Sequence, residues 1–380
     1  MISRFLDLNK IKRSFFLFGP RQVGKTFLIK NALSPDIFIN LLKQEEYLRY
    51  AGSPQLLRQE VKENMLVVID EIQRCPSLLN EVQLIIDDNP TVQFILTGSS
   101  ARKLRRNGVN LLGGRAIVLH LFPFTANELT NLFTIEDALL FGTLPSITLE
   151  KSRENKILLL KSYVETYLKE EIQQEALTRN VPAFARFLEL AAHENGNILN
   201  FQALSREVGV TSKTIREYFQ ILEDTLLGFF IAPFTKSERK RVVSHPRFYF
   251  FDPGVVSALR NELSGGLTAG TPAYGRAFEH WIILETKRLL DYKGLDWKTS
   301  FFRTSDGAEV DLLLEKGDEL WAIEIKSSAA PSASELRGLK SFLRDHQVTK
   351  ALCVCQTPRP YTTDHIEFIP WKDFLKLLNP

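Results

Sequence analysis

The chain has 380 residues, of which 44% are hydrophobic and 24% charged, and this length and composition predict two or three globular domains. A net charge of +3, from 48 basic and 45 acidic residues, excludes any argument for a nucleic-acid partner built on bulk charge; only a local cluster could make one. No run approaches the roughly 18–20 apolar residues of a membrane span, and residues 1–12 lack a secretory core, so a membrane-free, cytoplasmic setting is the expectation.

Residues 15–19, 65–70 and 92–97 are strand-like, with 116–121 as a further candidate, and 25–33 and 78–87 between them have helical spacing. That alternation predicts an α/β domain over 1–135, a mostly parallel sheet flanked by helices. The first strand ends in Gly19-Pro20-Arg21-Gln22-Val23-Gly24-Lys25-Thr26, a full match to G-x-x-x-x-G-K-[ST] in the context the motif needs. Glycines let backbone N–H groups turn inward around phosphate oxygens, and the following helix N-terminus adds its dipole. Lys25 is expected to reach the β- and γ-phosphates of ATP, and Thr26 to offer its hydroxyl to Mg²⁺. The second strand ends in Asp70 and Glu71; Asp70 is expected on Mg²⁺ and Glu71 on the attacking water. The third ends at Thr97-Gly98-Ser99-Ser100, where Ser99 or Ser100 could sense the γ-phosphate. A dinucleotide site is disfavoured, since G-x-G-x-x-G is absent. Gly113-Gly114-Arg115 offers an arginine finger for a neighbouring subunit's ATP, or a surface arginine after a turn.

Residues 136–195 read as helical, and 196–260 as a basic winged-helix domain. Residues 201–211 form a helix and a glycine turn, and the next helix starts at Ser212. Ile215, Phe219 and Leu222 face a core on that helix, whereas Lys213, Thr214 and Arg216 face out. Residues 242–251 suggest a wing, and 236–247 hold five basic residues against one acid. DNA phosphates would explain the cluster, with Lys213, Thr214, Arg216, Arg239, Lys240 and Arg241 as contacts. Winged helices also serve as protein-binding modules, and that alternative stays open.

Residues 261–271, rich in Gly and Ser, read as a linker before a domain at 270–380. There a helix over 274–291 is followed by strands over 301–304, 309–314 and 320–326, a helix over 334–345 and a strand over 350–355. Glu324 and Lys326 share a strand face, and pairing with the strand of Asp311 would converge two carboxylates and an ammonium. Glu279, on the preceding helix, could add a third carboxylate. Such a set suits Mg²⁺ or Mn²⁺ and would polarise a phosphodiester, with Lys326 positioning the water or neutralising the developing charge. A strand with Glu and Lys on its polar face is the plain structural alternative. Cys353 and Cys355 lack zinc spacing and are expected, with Cys75, as buried apolar residues.

Taken together, these residues resemble a family of bacterial and archaeal AAA-type ATPases whose remaining chain is a domain of unknown function. The resemblance spans nearly the whole chain. Its marks are residues 19–26, Asp70-Glu71-Ile72-Gln73, Thr97-Gly98-Ser99-Ser100, residues 247–252, Gly275-Arg276-Ala277-Phe278-Glu279, Glu309-Val310-Asp311 and Glu324-Ile325-Lys326. It implies an α/β multidomain fold with an AAA-like ATPase core, a winged helix and an end similar to PD-(D/E)XK nucleases. Asp311, Glu324 and Lys326 match the signature positions of that superfamily, and Glu279 the helical acid of its resolvase-like members. Ring assembly is common among AAA proteins, so a homo-oligomer is expected. The implied activity is an ATPase acting on branched or broken DNA through a metal-dependent nuclease-like end. The alternative is a nucleotide-gated DNA- or protein-binding module with a silent nuclease-like fold.

Overall fold

A computed structural model describes residues 2–99, 104, 112–168, 180–235 and 244–378. Ser100, Arg239, Lys240, Arg241 and the first residues of the expected wing lie outside the described residues. The described chain falls into two units, one of residues 1–129 with 220–227, the other of 130–219 with 228–380.

In the first unit five short apolar strands pair in parallel. They are β1 (Phe15–Phe18), β2 (Ile37–Asn40), β3 (Leu66–Asp70), β4 (Gln93–Gly98) and β5 (Ile117–His120), in the order β2-β3-β4-β1-β5. Strands buried on both faces need continuous apolar runs, and β1 supplies one, with all four residues buried. Burying a phenylalanine contributes about 1.5–3 kcal/mol, and Phe15, Phe16 and Phe18 are each at most 1% exposed. The half-buried β2 was not predicted, because its sequence lacks a continuous buried signature. The register pairs Phe18 with Gly98, and Ile69 with Leu96. The carboxyl ends of β1, β3 and β4 therefore lie flush, where open parallel sheets bind ligands.

The second unit is organised by a mixed sheet of eight strands in the order β12-β13-β11-β10-β9-β8-β6-β7. These are β6 (Gly228–Pro233), β7 (Arg247–Phe250), β8 (Lys298–Arg303), β9 (Glu309–Lys316), β10 (Glu319–Ile325), β11 (Lys350–Cys355), β12 (Tyr361–Thr363) and β13 (Ile366–Pro370). The helices Phe201–Val208 and Ser212–Asp224 form the expected turn, with left-handed Gly209 at φ 78° closing the first. Asn200 caps that helix by accepting the Ala203 N–H. Strands β6 and β7 pair antiparallel, and β6 also pairs in parallel with β8 through Ala232 and Ser300. One sheet thus runs from the helix-turn-helix strands into the tail. The helix Pro272–Tyr292 precedes β8 and places Glu279 near β9 and β10. All three cysteines are free and buried, as expected.

Within this unit Asp252 is fully buried and accepts the N–H groups of Thr143 at 2.8 Å, Gly254 at 2.9 Å and Val255 at 3.3 Å. Burial pushes its carboxyl up to about 6. Gly142, at φ 70° and ψ −163°, occupies backbone space open essentially to glycine alone. A Cβ there would lie 1.8 Å from Asp252 Oδ1. Gly142→Ala should destabilise the protein by roughly 3 kcal/mol or more. A denaturant midpoint unchanged from wild type would refute this account of the contact.

Candidate functional site

The loop after β1 is shaped by two glycines with different duties. Gly24 takes φ 92°, a left-handed turn that opens the helix Lys25–Ala32. Gly19 passes so close to the β5 end that an added Cβ would sit 2.2 Å from the Leu121 carbonyl oxygen. Gln22 is also left-handed, at φ 64°. Pro20, Arg21 and Val23 complete the turn, with Val23 wholly buried. Lys25 is buried, and its ammonium donates to the carbonyls of Gly19 at 2.7 Å and Pro20 at 3.0 Å. Phosphate oxygens entering the loop would take over that charge.

The Thr26 hydroxyl donates to Asp70 Oδ2 at 2.8 Å, across 44 positions of sequence. The other Asp70 oxygen accepts from the Thr97 hydroxyl. Thr97 Oγ1 in turn accepts the Glu71 N–H at 3.1 Å. Glu71 itself is left-handed, at φ 62° and ψ 46°, a conformation that costs a non-glycine residue about 1 kcal/mol or more. Such outliers cluster at functional sites. Its carboxylate accepts from the Gln73 side-chain amide. Ser99 lies buried one residue past β4, but the hydroxyl that joins the acids is Thr97's. The signal for Thr97 was its place as the last β-branched residue of an apolar strand, opposite Asp70. Thr26 and Asp70 are hard oxygen donors, and together with phosphate oxygens they suit Mg²⁺.

Arg115 forms a two-pronged ion pair with Asp87, at 2.5 and 2.9 Å. It precedes β5, whose Ile117 pairs with Phe15 at the start of β1. The P-loop follows the other end of β1, about 13 Å away along a four-residue strand. Arg115 therefore lies at the edge of the sheet opposite this chain's own phosphate loop.

In the second unit β9 and β10 bring Asp311, Glu324 and Lys326 together. The Lys326 ammonium donates to Glu324 Oε1 at 2.6 Å and lies 3.6 Å from Asp311 Oδ2. Asp311 Oδ2 also accepts the Ile325 N–H at 2.8 Å. Glu324 Oε2 is buried and has no hydrogen-bond partner among the described residues. Burial, then the Asp311 charge, pushes the Glu324 carboxyl well above its ordinary value. Burial alone would lower Lys326, but the carboxylates of Asp311 and Glu324 hold its ammonium charged and its pKa above the usual lysine value.

Glu279 is held differently. Its Oε1 accepts from the Tyr249 hydroxyl at 3.0 Å and lies 3.5 Å from Arg247 Nη1. Arg247 also donates to Glu309, packs its guanidinium over the Phe301 ring at 4.5 Å, and is only 3% exposed. Arg247, counted in the basic run, is thus taken inside by carboxylates. Glu279 lies near enough to Asp311 for the two charges to act on one another, while among the described residues no three His, Cys, Asp or Glu are gathered as a metal-holding cluster. Asp311 and Glu324 alone, with one orphaned oxygen between them, still fit Mg²⁺, which commonly takes one or two protein carboxylates. Mn²⁺ favours the same oxygen donors.

On the helix-turn-helix, Lys213 and Arg216 are exposed. The Arg216 guanidinium packs over Phe201 at 4.9 Å. Thr214 is occupied in capping: its N–H donates to Thr211 Oγ1 at 3.1 Å, and the two hydroxyls lie 2.9 Å apart.

A parallel sheet, a glycine-shaped loop at its carboxyl edge and a Thr26–Asp70 link define a P-loop core. Residues 12–130 match the family described as an AAA domain. Residues 132–265 and 274–374 match two domains of unknown function, DUF8612 and DUF4143. Uncharacterized proteins of Mycobacterium bovis and Mycobacterium tuberculosis are each 26% identical over 343 residues, 89% of this chain and 75% of theirs. An uncharacterized protein of Methanocaldococcus jannaschii is 22% identical over 374 residues, 89% of this chain and 79% of its own. Among solved structures, the RuvB Holliday junction branch migration motor of Thermotoga maritima is similar over 57% of this chain and 81% of its own, at 18% identity and a TM-score of 0.29. A Vibrio cholerae protein, VC1899, is similar over 90% and 92%, at 13% identity and a TM-score of 0.20. At such scores neither likeness carries functional weight. No helix among the described residues is long and apolar enough to cross a membrane.

Burial, then the Asp311 charge, pushes the Glu279 carboxyl up to about 7, against Arg247, Tyr249 and Lys326, which oppose the rise. The native state therefore binds this proton more tightly than the unfolded chain. Its contribution to stability is complete below the ordinary 4.5 and is lost as pH rises through about 7. Glu279→Gln should flatten the stability profile across that window. Urea unfolding at about pH 5 and about pH 8 checks this, and an equal pH dependence in the two proteins would refute it.

Proposed function

We propose that this chain binds and hydrolyses Mg·ATP at the loop of residues 19–26 and uses the cycle to act on DNA. The Thr26–Asp70 contact carries the first part, because it ties the magnesium-binding hydroxyl to the acid that holds the same ion. Bound Mg²⁺ would neutralise charge developing on the phosphates. The chain's own groups do the rest: loop N–H groups and Lys25 grip the β- and γ-phosphates, and Glu71 takes a proton from the attacking water. Arg115 would serve as a finger only in a neighbouring copy, after release from Asp87, which makes a homo-oligomer or ring part of this reading. DNA contact is assigned to exposed Lys213 and Arg216, with Arg239, Lys240 and Arg241 from the neighbouring basic run.

Lys25→Ala should abolish binding of Mg·ATP in a calorimetric titration. Glu71→Gln should retain binding while turnover falls about 100-fold; full turnover would reject its role. Turnover per chain should rise with protein concentration, and Arg115→Ala should remove that rise.

For the second unit we propose a phosphodiester-directed site at Asp311, Glu324 and Lys326. Asp311 and Glu324 would hold Mg²⁺ or Mn²⁺, which supplies Lewis acidity and a more acidic bound water. Lys326 would stabilise charge on the departing oxygen. The orphaned Glu324 oxygen supports this reading, since a buried acceptor without a partner calls for an ion or a proton. One observation favours a second reading, a silent fold that only binds DNA or protein. The ammonium of Lys326 closes on both carboxylates, and Glu279 is tied to Tyr249 and Arg247. Linear, nicked and junction DNAs incubated with Mg²⁺ or Mn²⁺ separate the two. Cleavage lost in Asp311→Asn and Lys326→Ala supports the nuclease; intact DNA with ATP-stimulated binding supports the silent fold.

A further inference from the structure

Gln73 stands two residues past the acids of β3, in the 3₁₀ turn Ile72–Arg74, and is 6% exposed. Its Nε2 donates to the Glu71 carboxylate. Its Oε1 is buried with no hydrogen-bond partner among the described residues. The amide can occupy this place only because residue 98 is glycine: a Cβ there would lie 2.6 Å from Gln73 Oε1. One residue earlier, Thr97 takes the Glu71 N–H and bonds Asp70. The Glu71 backbone is thus fixed by a left-handed turn and by Thr97, and its carboxylate by Gln73.

A glutamate at a strand end would otherwise spread over several rotamers, whereas a group that activates water must hold one direction. A buried amide with one end bonded and the other unpartnered is costly, and such groups ask for an explanation. The bonded end supplies one: its N–H aims the carboxylate at a water beside Glu71, which Glu71 deprotonates. A glutamine side chain that orients an attacking water is an established device in phosphoryl transfer.

We propose that Gln73 is the positioning residue for Glu71 and, through that carboxylate, for the attacking water, and that Gly98 is required to admit the Gln73 amide. The proposal rests on the ATPase reading above and deepens it. Gln73 acts through Glu71 and transfers no proton itself.

The test is steady-state ATP turnover, with binding of a fluorescent ATP analogue and Mg²⁺, for the full chain and its variants. Gln73→Ala should lower kcat about 10- to 100-fold while KM and analogue affinity stay within about twofold. Gly98→Ala should reproduce that loss, because its methyl displaces the amide. In the Gln73→Ala background, Gly98→Ala should cost nothing further, since both changes act on one contact. Gln73→Met, which keeps the length of the side chain, replaces Gln73→Ala should the latter unfold. Full turnover in either Gln73 variant, independent losses from Gln73 and Gly98, or a loss of ATP binding in place of kcat would overturn the proposal. Glu71→Gln, measured alongside, separates the two levels: were it fully active, the hydrolysis reading itself would fall.

Discussion

One carboxylate joins three strands at the first site. Asp70 ends β3, and its two oxygens accept from Thr26, at the start of the helix after β1, and from Thr97, near the end of β4. The contact exists only because parallel pairing leaves those strand ends flush. Every other group at the site is placed by it or beside it. Glu71 follows directly in the chain, Lys25 precedes Thr26, and the glycine at 98 follows Thr97. A buried carboxylate in this position would be expensive without donors, and the hydroxyls of Thr26 and Thr97 supply them.

The second cluster is built on the opposite principle. There the acids outnumber their obvious partners, and the fold brings cations inward to meet them. Lys326 comes one residue past the strand that carries Glu324, whereas Arg247 comes from a strand 62 positions before Glu309. Charge balance inside this unit is therefore shared between the segments that match two separate domains of unknown function. Removing either segment would leave buried charge without a counterpart, and unpaired buried charge is among the costliest defects in a folded protein.

The legible parts of the sequence were those where local pattern and tertiary role coincide. β1, β3 and β4 each carry a continuous buried apolar run because both faces are covered, so a run of residues such as Phe15–Phe18 was enough. The phosphate loop was legible because its glycines answer a backbone demand at fixed spacing. β2, β6, β12 and β13 were not predicted: β2 is half-buried, and β12 is three exposed residues long. The inward turn of Arg247 was hidden too, because it depends on Glu279 and Glu309, 32 and 62 positions away. Sequence spacing placed Glu279 beside the other acids, but not the Tyr249 hydroxyl that occupies it. Gln73 stood in plain view within a motif, yet its role depends on the missing side chain at Gly98.

The pairing of β6 with β8 sets a rule for dissecting this protein. The glycine- and serine-rich stretch at 261–271 invites a cut that would release the helix-turn-helix from the tail. Such a cut would strip β6 of its hydrogen-bonding neighbour at Ala232 and Pro233, exposing an apolar edge able to pair with another chain. Fragments ending near residue 265 are thus suited to self-association rather than to independent folding. Soluble pieces of this molecule should keep β6 and β8 in one length of chain.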